Sequence, residues 1–205
     1  MYNRIVKRFL SFMIALSALI LFWWVILLVA LAVKITDPDG PVIFKQKRLG
    51  LGGGVYTMYK FRTMCVGAEH TGSGVYSDKH DSRVTPIGKI LRKTSLDELP
   101  QLYNILKGDM ALIGPRSPLT YHPWPIENYT EEQKKMFSVR PGMTGWAQVH
   151  GRKTVEWNKR IEMNVWYAEH VSFLLDLKIF LMTFGVLVSS SDNLNVGATV
   201  KDKPE

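Results

Sequence analysis

The chain has 205 residues and a single cysteine, Cys65. One thiol excludes an intramolecular disulfide and suits a reducing compartment; we read Cys65 as a bystander. Acids are scarce too: 18 Asp+Glu stand against 26 Lys+Arg, a formal charge of +8. That balance suits an anionic partner, whether nucleic acid, anionic lipid or a phosphorylated substrate. The third shortage is local. Phe9 to Val33 contains no charge, no proline and no glycine. As a helix of about 25 residues it reaches about 37 Å, more than a hydrocarbon core of about 30 Å. It is longer than the h-region of a signal peptide and is not followed by a small-x-small cleavage site. Its apolar character on every face argues against a buried helix of a soluble protein.

Basic residues flank this run on both sides: Arg4, Lys7 and Arg8 before it, Lys34, Lys45, Lys47 and Arg48 after it. A spanning helix should show an asymmetry of Lys and Arg, whereas a segment that returns to the same face should not. Three further regions follow. Residues 35–152 are punctuated by Gly and Pro, residues 153–188 read as two amphipathic helices, and residues 189–205 read as a polar, disordered tail.

Within the second region, Val42–Phe44 and Val55–Tyr59 are β-prone, and Gly50–Gly54 (GLGGG) between them predicts a hairpin turn. No Walker lysine or dinucleotide spacing accompanies these glycines, so a phosphate cradle is the lesser reading. Pro86–Lys93 predicts a short basic helix. Ser95-Leu96-Asp97-Glu98 has the S-x-x-E form of a capping box, opening a helix that ends at Lys107-Gly108. Asp109–Arg116 (DMALIGPR) reads as a strand entering a tight turn. Thr130 caps a further helix running through EEQKKMFSV to Val139, and Thr154 caps one from Val155 to His170. Phe173–Val188 is an apolar helix that either joins the core or lies in a membrane interface.

The adjacent acids Asp97 and Glu98 have an ordinary explanation as first-turn carboxylates. Their surroundings suggest more. Arg92 and Lys93 lie about one turn upstream, Arg116 follows in Gly-Pro-Arg, Lys60 and Arg62 sit in YKFRTM, and Arg140 and Arg152 bracket PGMTGWAQVHGR. Carboxylates among many cations describe phosphoryl-transfer chemistry: guanidinium forks hold phosphate oxygens while a carboxylate attacks or binds metal.

KFRTM (60–64), SLDELPQLYNILKGDMALIGPR (95–116), VRPGMTGWAQVHGR (139–152) and LLDLKIFLMT (174–183), taken together and in order, resemble the monotopic phosphoglycosyl transferases, small bacterial enzymes that begin lipid-linked glycan assembly. The resemblance implies an α/β (α+β) fold, largely helical with a small hairpin or sheet. It divides the chain into a membrane segment (1–34), a catalytic domain at the cytoplasmic face of the inner membrane (35–188) and the tail. It implies that Asp97 is the nucleophile toward the β-phosphate of a UDP-sugar, that UMP leaves, and that polyprenyl phosphate then takes the phosphosugar from the aspartate. Glu98, with Asp97, would hold Mg²⁺. Lys60, Arg92 and Arg116 match cationic positions near the phosphates, Arg62 joins them through KFRTM, and Arg152 matches a position near the nucleotide.

Two departures from the family pattern stand out. Ser117 follows Gly-Pro-Arg where proline is usual. Trp23-Trp24 occupy the place of the Ser-Pro pair that makes the family's membrane helix re-entrant. We still expect residues 1–34 to enter and leave on the cytoplasmic face, with a bend near Ser17–Trp24, because both flanks are basic and a UDP-sugar is cytosolic. The alternative reading is a membrane-anchored basic module that binds nucleic acid or anionic lipid through Trp124, Trp146, Trp157 and Trp166. No helix-turn-helix, RNP or zinc pattern supports it, so membrane lipid, and not nucleic acid, is the expected macroscopic partner. A third reading moves the sugar alone and releases UDP.

Overall fold

The computed structural model describes residues 2–71, 81–151 and 156–188. They form a mostly helical protein with two small sheets, as expected from the sequence. A π-helical turn at Tyr2–Val6 leads into α1 (Lys7–Thr36), followed by the strands β1 (Ile43–Leu49) and β2 (Val55–Phe61). Next come α2 (Pro86–Thr94), α3 (Gln101–Lys107) and β3 (Ala111–Ile113). The chain continues through α4 (Glu131–Lys134), β4 (Gly142–Thr144), α5 (Trp146–Val149), α6 (Trp157–Glu169) and α7 (Phe173–Val188).

Strands β1 and β2 form the expected antiparallel hairpin, Ile43 opposite Phe61 and Leu49 opposite Val55. The GLGGG segment is its turn. Gly53 sits at φ +77°, and a Cβ there would come within 2.3 Å of Ile126 Cδ1, so the turn glycine serves backbone geometry and packing. Strands β3 and β4 pair in parallel, Ala111 with Gly142 and Ile113 with Thr144, which brings the Gly-Pro-Arg turn against the second Gly-rich motif. Thr85 caps α2 by accepting from Gly88 N at 3.0 Å. Thr130 and Gln133 close a reciprocal capping box on α4. That helix is shorter than expected, passing into a 3₁₀ turn at Lys135–Ser138. Thr154, expected to cap the next helix, lies outside the described residues, as does the tail; α6 begins at Trp157.

Helix α1 keeps an uninterrupted helical ladder through Ser17–Trp24, where a bend was expected. Trp24 Nε1 donates to the Leu21 carbonyl at 3.0 Å, and no proline or glycine removes a bond from the ladder. Its buried residues are Lys7, Ser11, Ala15, Val29 and Val33. They form one stripe that touches the rest of the protein along its length. Ala15 packs with Tyr56, Leu102, Ile105 and Met110; Val29 and Val33 pack with Phe61 and Leu91. At the amino end, Lys7 reaches Tyr167 and pairs with Asp176 at 3.0 Å. The other side of α1, including Phe9, Leu21, Trp23, Leu27 and Leu31, is exposed. Among the described residues this is the one helix long and apolar enough to cross a membrane.

Candidate active site

Strand β2 delivers the first site residue. Alternation along the strand sends Phe61 into the core beside Leu91 and Lys60 into a cavity of about 720 Å³. Helix α2 packs so closely on the next stretch that a Cβ at Gly88 would lie 2.1 Å from the Thr63 carbonyl oxygen. The packing sets Arg92, in the last turn of α2, against Thr63, with Nε donating to Thr63 Oγ1 at 2.9 Å.

The capping box expected at Ser95 does not form. Ser95 ends α2 in the left-handed region at φ 58°, and Leu96–Glu98 make a 3₁₀ turn with no side-chain cap. The reason is Pro100. A helix started by Ser95 would place that proline in its second turn, where the ring meets the Leu96 carbonyl and has no N–H to give. Pro100 instead stands at the N-cap of α3. The tight turn projects the two acids from a corner between two helices. Glu98 Oε1 pairs with Lys60 Nζ at 2.7 Å. Burial pushes the Arg92 guanidinium below the usual arginine range, and the Asp97 carboxylate opposes that fall.

Arg116 enters from the β3 turn. Its backbone N–H donates to Asn164 Oδ1 on α6 at 3.3 Å, and Pro115 O accepts from Gly142 N at 3.0 Å. The serine that replaces the usual proline is held as well: the Ser117 and Tyr56 hydroxyls are 2.9 Å apart, and Arg48 Nη1 donates to the Ser117 carbonyl at 2.7 Å. Lys60, Arg92, Asp97, Glu98 and Arg116 thus line one cavity. Apolar side chains line it as well, among them Leu112, Met143, Phe180 and Phe184 of β3, β4 and α7.

Arg62 touches the same cavity, but its guanidinium is turned to Asp37, with Nη1 3.0 Å from Asp37 Oδ2 and Nη2 donating to the Asp37 carbonyl. It ties the end of α1 to β2. Arg152 lies outside the described residues. Arg48 also lines the cavity, although the sequence reading grouped it with charges flanking the membrane. The usable signal was the period of two in KQKR: Lys45 and Lys47 are exposed, while Gln46 and Arg48 turn inward.

The model of the family described as bacterial sugar transferase matches residues 2–190. The chain belongs to the bacterial sugar transferase family. A sugar transferase named EpsL from Bacillus subtilis (strain 168), of uncharacterised activity, is 47% identical over 80% of this chain and 79% of its own length. A UDP-glucose:undecaprenyl-phosphate glucose-1-phosphate transferase of Caulobacter vibrioides is 41% identical over 91% of this chain and 71% of its own. The enzyme of the same name from Xanthomonas campestris pv. campestris is 38% identical over 89% of this chain, which spans 38% of that longer relative. Membership in this sugar transferase family makes the chain an enzyme and sets the basic binding module aside.

Proposed function

We propose that this sugar transferase moves a sugar phosphate from a UDP-sugar to undecaprenyl or another polyprenyl phosphate, through a covalent intermediate on Asp97. The observation that carries the reading is the cavity itself: an Asp-Glu pair among Lys60, Arg92 and Arg116, in a cavity that apolar side chains also line. In the first step an Asp97 carboxylate oxygen attacks the β-phosphorus. The bond to the bridging oxygen breaks, and its electron pair leaves on UMP. In the second, a phosphate oxygen of the lipid attacks the same phosphorus and the aspartate departs. A carboxylate is ionised at neutral pH and needs no base to attack. The lysine and two arginines offset the charge of the diphosphate.

Among the described residues no group of three or more His, Cys, Asp or Glu comes together. Two adjacent carboxylates still fit Mg²⁺, which is commonly bound by one or two carboxylates plus substrate phosphates. Asp97 and Glu98 would hold it, and the ion would supply further neutralisation of the diphosphate.

In this reading the chain works at the inner membrane from the cytoplasmic face, and residues 1–34 do not cross. Lys7 and Val33, both bound to the same domain, are about 39 Å apart along the helix. That exceeds a hydrocarbon core of about 30 Å. Spanning would carry the attached domain through the lipid. With its buried stripe on the domain, α1 can instead immerse its exposed face from one side. Helix α7, with Phe173, Leu174, Leu177, Leu181 and Phe184 exposed, lies in the interface beside it.

The test is incubation of purified protein with a panel of UDP-sugars and polyprenyl phosphate. Release of UMP is expected. Release of UDP would mean that the sugar moves alone, and release of neither would refute the reading.

A further inference from the structure

Arg48 is held by neutral acceptors. Its Nε and Nη2 donate to Gln46 Oε1 at 2.9 and 2.6 Å, and Nη1 donates to the Ser117 carbonyl at 2.7 Å. Among the described residues neither Arg48 nor Arg116 forms an ion pair with a carboxylate. Burial, followed by repulsion from Arg116, pushes Arg48 down to about 10, against weaker attraction from Glu69 and Glu98. Two guanidinium groups sharing a cavity wall repel, and an anion placed between them relieves both the repulsion and the desolvation. Their planar forks match phosphate oxygens.

Strand β1 spaces the residues along this wall. Ile43, at the start of β1, packs with Val29 and Val33 of α1. Leu49, next to Arg48, packs with Trp124, Tyr129 and Phe137 in a cluster that contains no residue of α1 or α7. Lys60 stands opposite Phe44, about 13 Å along the strand from Arg48 at about 3.3 Å per residue. Lys60 and Glu98 therefore stand at one end of the β1–β2 wall and Arg48 at the other, where its cross-strand neighbour Tyr56 packs on Ala15 of α1. The long side chains of Lys60, Glu98 and Arg48 converge on the one cavity from these backbone positions, close enough for Glu98 and Arg116 to act on the Arg48 charge, which suits two adjacent phosphates, the sugar-bearing one at the acid pair and the other toward Arg48.

We propose that Arg48 and Arg116 form an anion clamp for the nucleotide-side phosphate of the donor, which keeps hold of that phosphate as it leaves on UMP. This rests on the reading of the cavity as a UDP-sugar site. When the bond from the β-phosphorus to the bridging oxygen breaks, the electron pair and the new negative charge settle on the phosphate the clamp holds. The clamp therefore serves the first half-reaction and not the second.

The experiment measures equilibrium binding of radiolabelled UMP to the full chain in detergent, alongside the two half-reactions, for wild type, Arg48→Gln and Arg48→Lys. Arg48→Gln should weaken UMP binding about tenfold or more, the worth of one or two charge-assisted hydrogen bonds. Arg48→Lys should lose less, since it keeps the charge without the fork. Transfer from preloaded covalent enzyme to polyprenyl phosphate should stay at the wild-type value. UMP affinity in Arg48→Gln within about twofold of wild type would overturn the clamp. So would a loss confined to the lipid half-reaction, which would move the subsite to the acceptor phosphate. A fallen thermal midpoint with both half-reactions slowed alike would reduce Arg48 to a support for Ser117. Wild type that binds UMP through Arg48, yet releases none from any UDP-sugar, would sink the transfer reading and leave the clamp standing.

Discussion

Lys60 Nζ and Glu98 Oε1 meet at 2.7 Å with both side chains about a fifth exposed, joining the end of β2 to the 3₁₀ turn that carries Asp97. Removing the Glu98 charge leaves that cation facing an amide and takes away one of two carboxylates suited to Mg²⁺. Glu98→Gln should lower UMP release about tenfold or more and raise the Mg²⁺ concentration needed for half-maximal rate, the scale expected when one charged contact is lost. EDTA should stop the wild-type reaction and Mg²⁺ restore it. The double variant Lys60→Met/Glu98→Gln should cost less than the sum of the single changes, because the partners are in contact. An unchanged Mg²⁺ titration in Glu98→Gln would contradict the metal assignment.

Ser117 replaces a proline usual in the family, and its hydroxyl is buried against Tyr56. Two hydrogen bonds, one between the Tyr56 and Ser117 hydroxyls and one from Arg48 to the Ser117 carbonyl, do the work of the missing ring in fixing the turn after Arg116. Tyr56→Phe leaves the Ser117 hydroxyl without this partner and should cost about 1–3 kcal/mol. Thermal unfolding should register that loss, and the KM for UDP-sugar should rise as Arg116 loosens. A midpoint and KM both equal to wild type would show that the turn holds itself.

Lys7 and Asp176, with side chains 6% and 7% exposed, bind the amino end of α1 to α7, and Tyr2 and Tyr167 both donate to the same carboxylate. Breaking a buried pair strands its other charge. Asp176→Asn should destabilise the protein by about 3–5 kcal/mol, while Lys7→Met with Asp176→Leu should recover much of the loss. Chemical denaturation in detergent measures both. Equal stability of Asp176→Asn and wild type would contradict the buried latch.

The same latch bears on topology. If both ends of α1 stay with the domain, residue 3 remains cytoplasmic. In a Cys65→Ser background, Asn3→Cys should resist an impermeant thiol reagent in intact cells and react after lysis. Labelling in intact cells would mean that the segment spans.

How much of this was readable beforehand depended on how locally each feature is encoded. The hairpin was legible because GLGGG interrupts two β-prone runs, and α2 because Pro86 and the basic Arg92-Lys93 mark its ends. The acids at 97 and 98 were legible through their neighbours in the motif. Ser95 misled because S-x-x-E describes a cap only when the next turn is α-helical, and Pro100 forbids that turn. Arg62 was grouped with the phosphate ligands because KFRTM does not reveal that Asp37, at the end of α1, reaches its guanidinium. Arg48 went unread because a lysine-rich stretch after an apolar run is most simply a flanking charge; only strand alternation separates it from Lys45 and Lys47. The unbroken course of α1 follows from its lack of Pro and Gly, whereas the stripe that binds the domain is invisible in a segment apolar on every face.

The covalent step on Asp97 is the center of the account, and the most direct measurement is intact-mass spectrometry of the protein after exposure to a UDP-sugar without lipid acceptor. Wild type should gain the mass of one sugar phosphate with stoichiometric UMP release and lose it when polyprenyl phosphate is added. Asp97→Asn should fold, gain no mass and release no UMP, because an amide cannot attack phosphorus in the carboxylate's place. UMP release by Asp97→Asn at the wild-type rate would contradict the account.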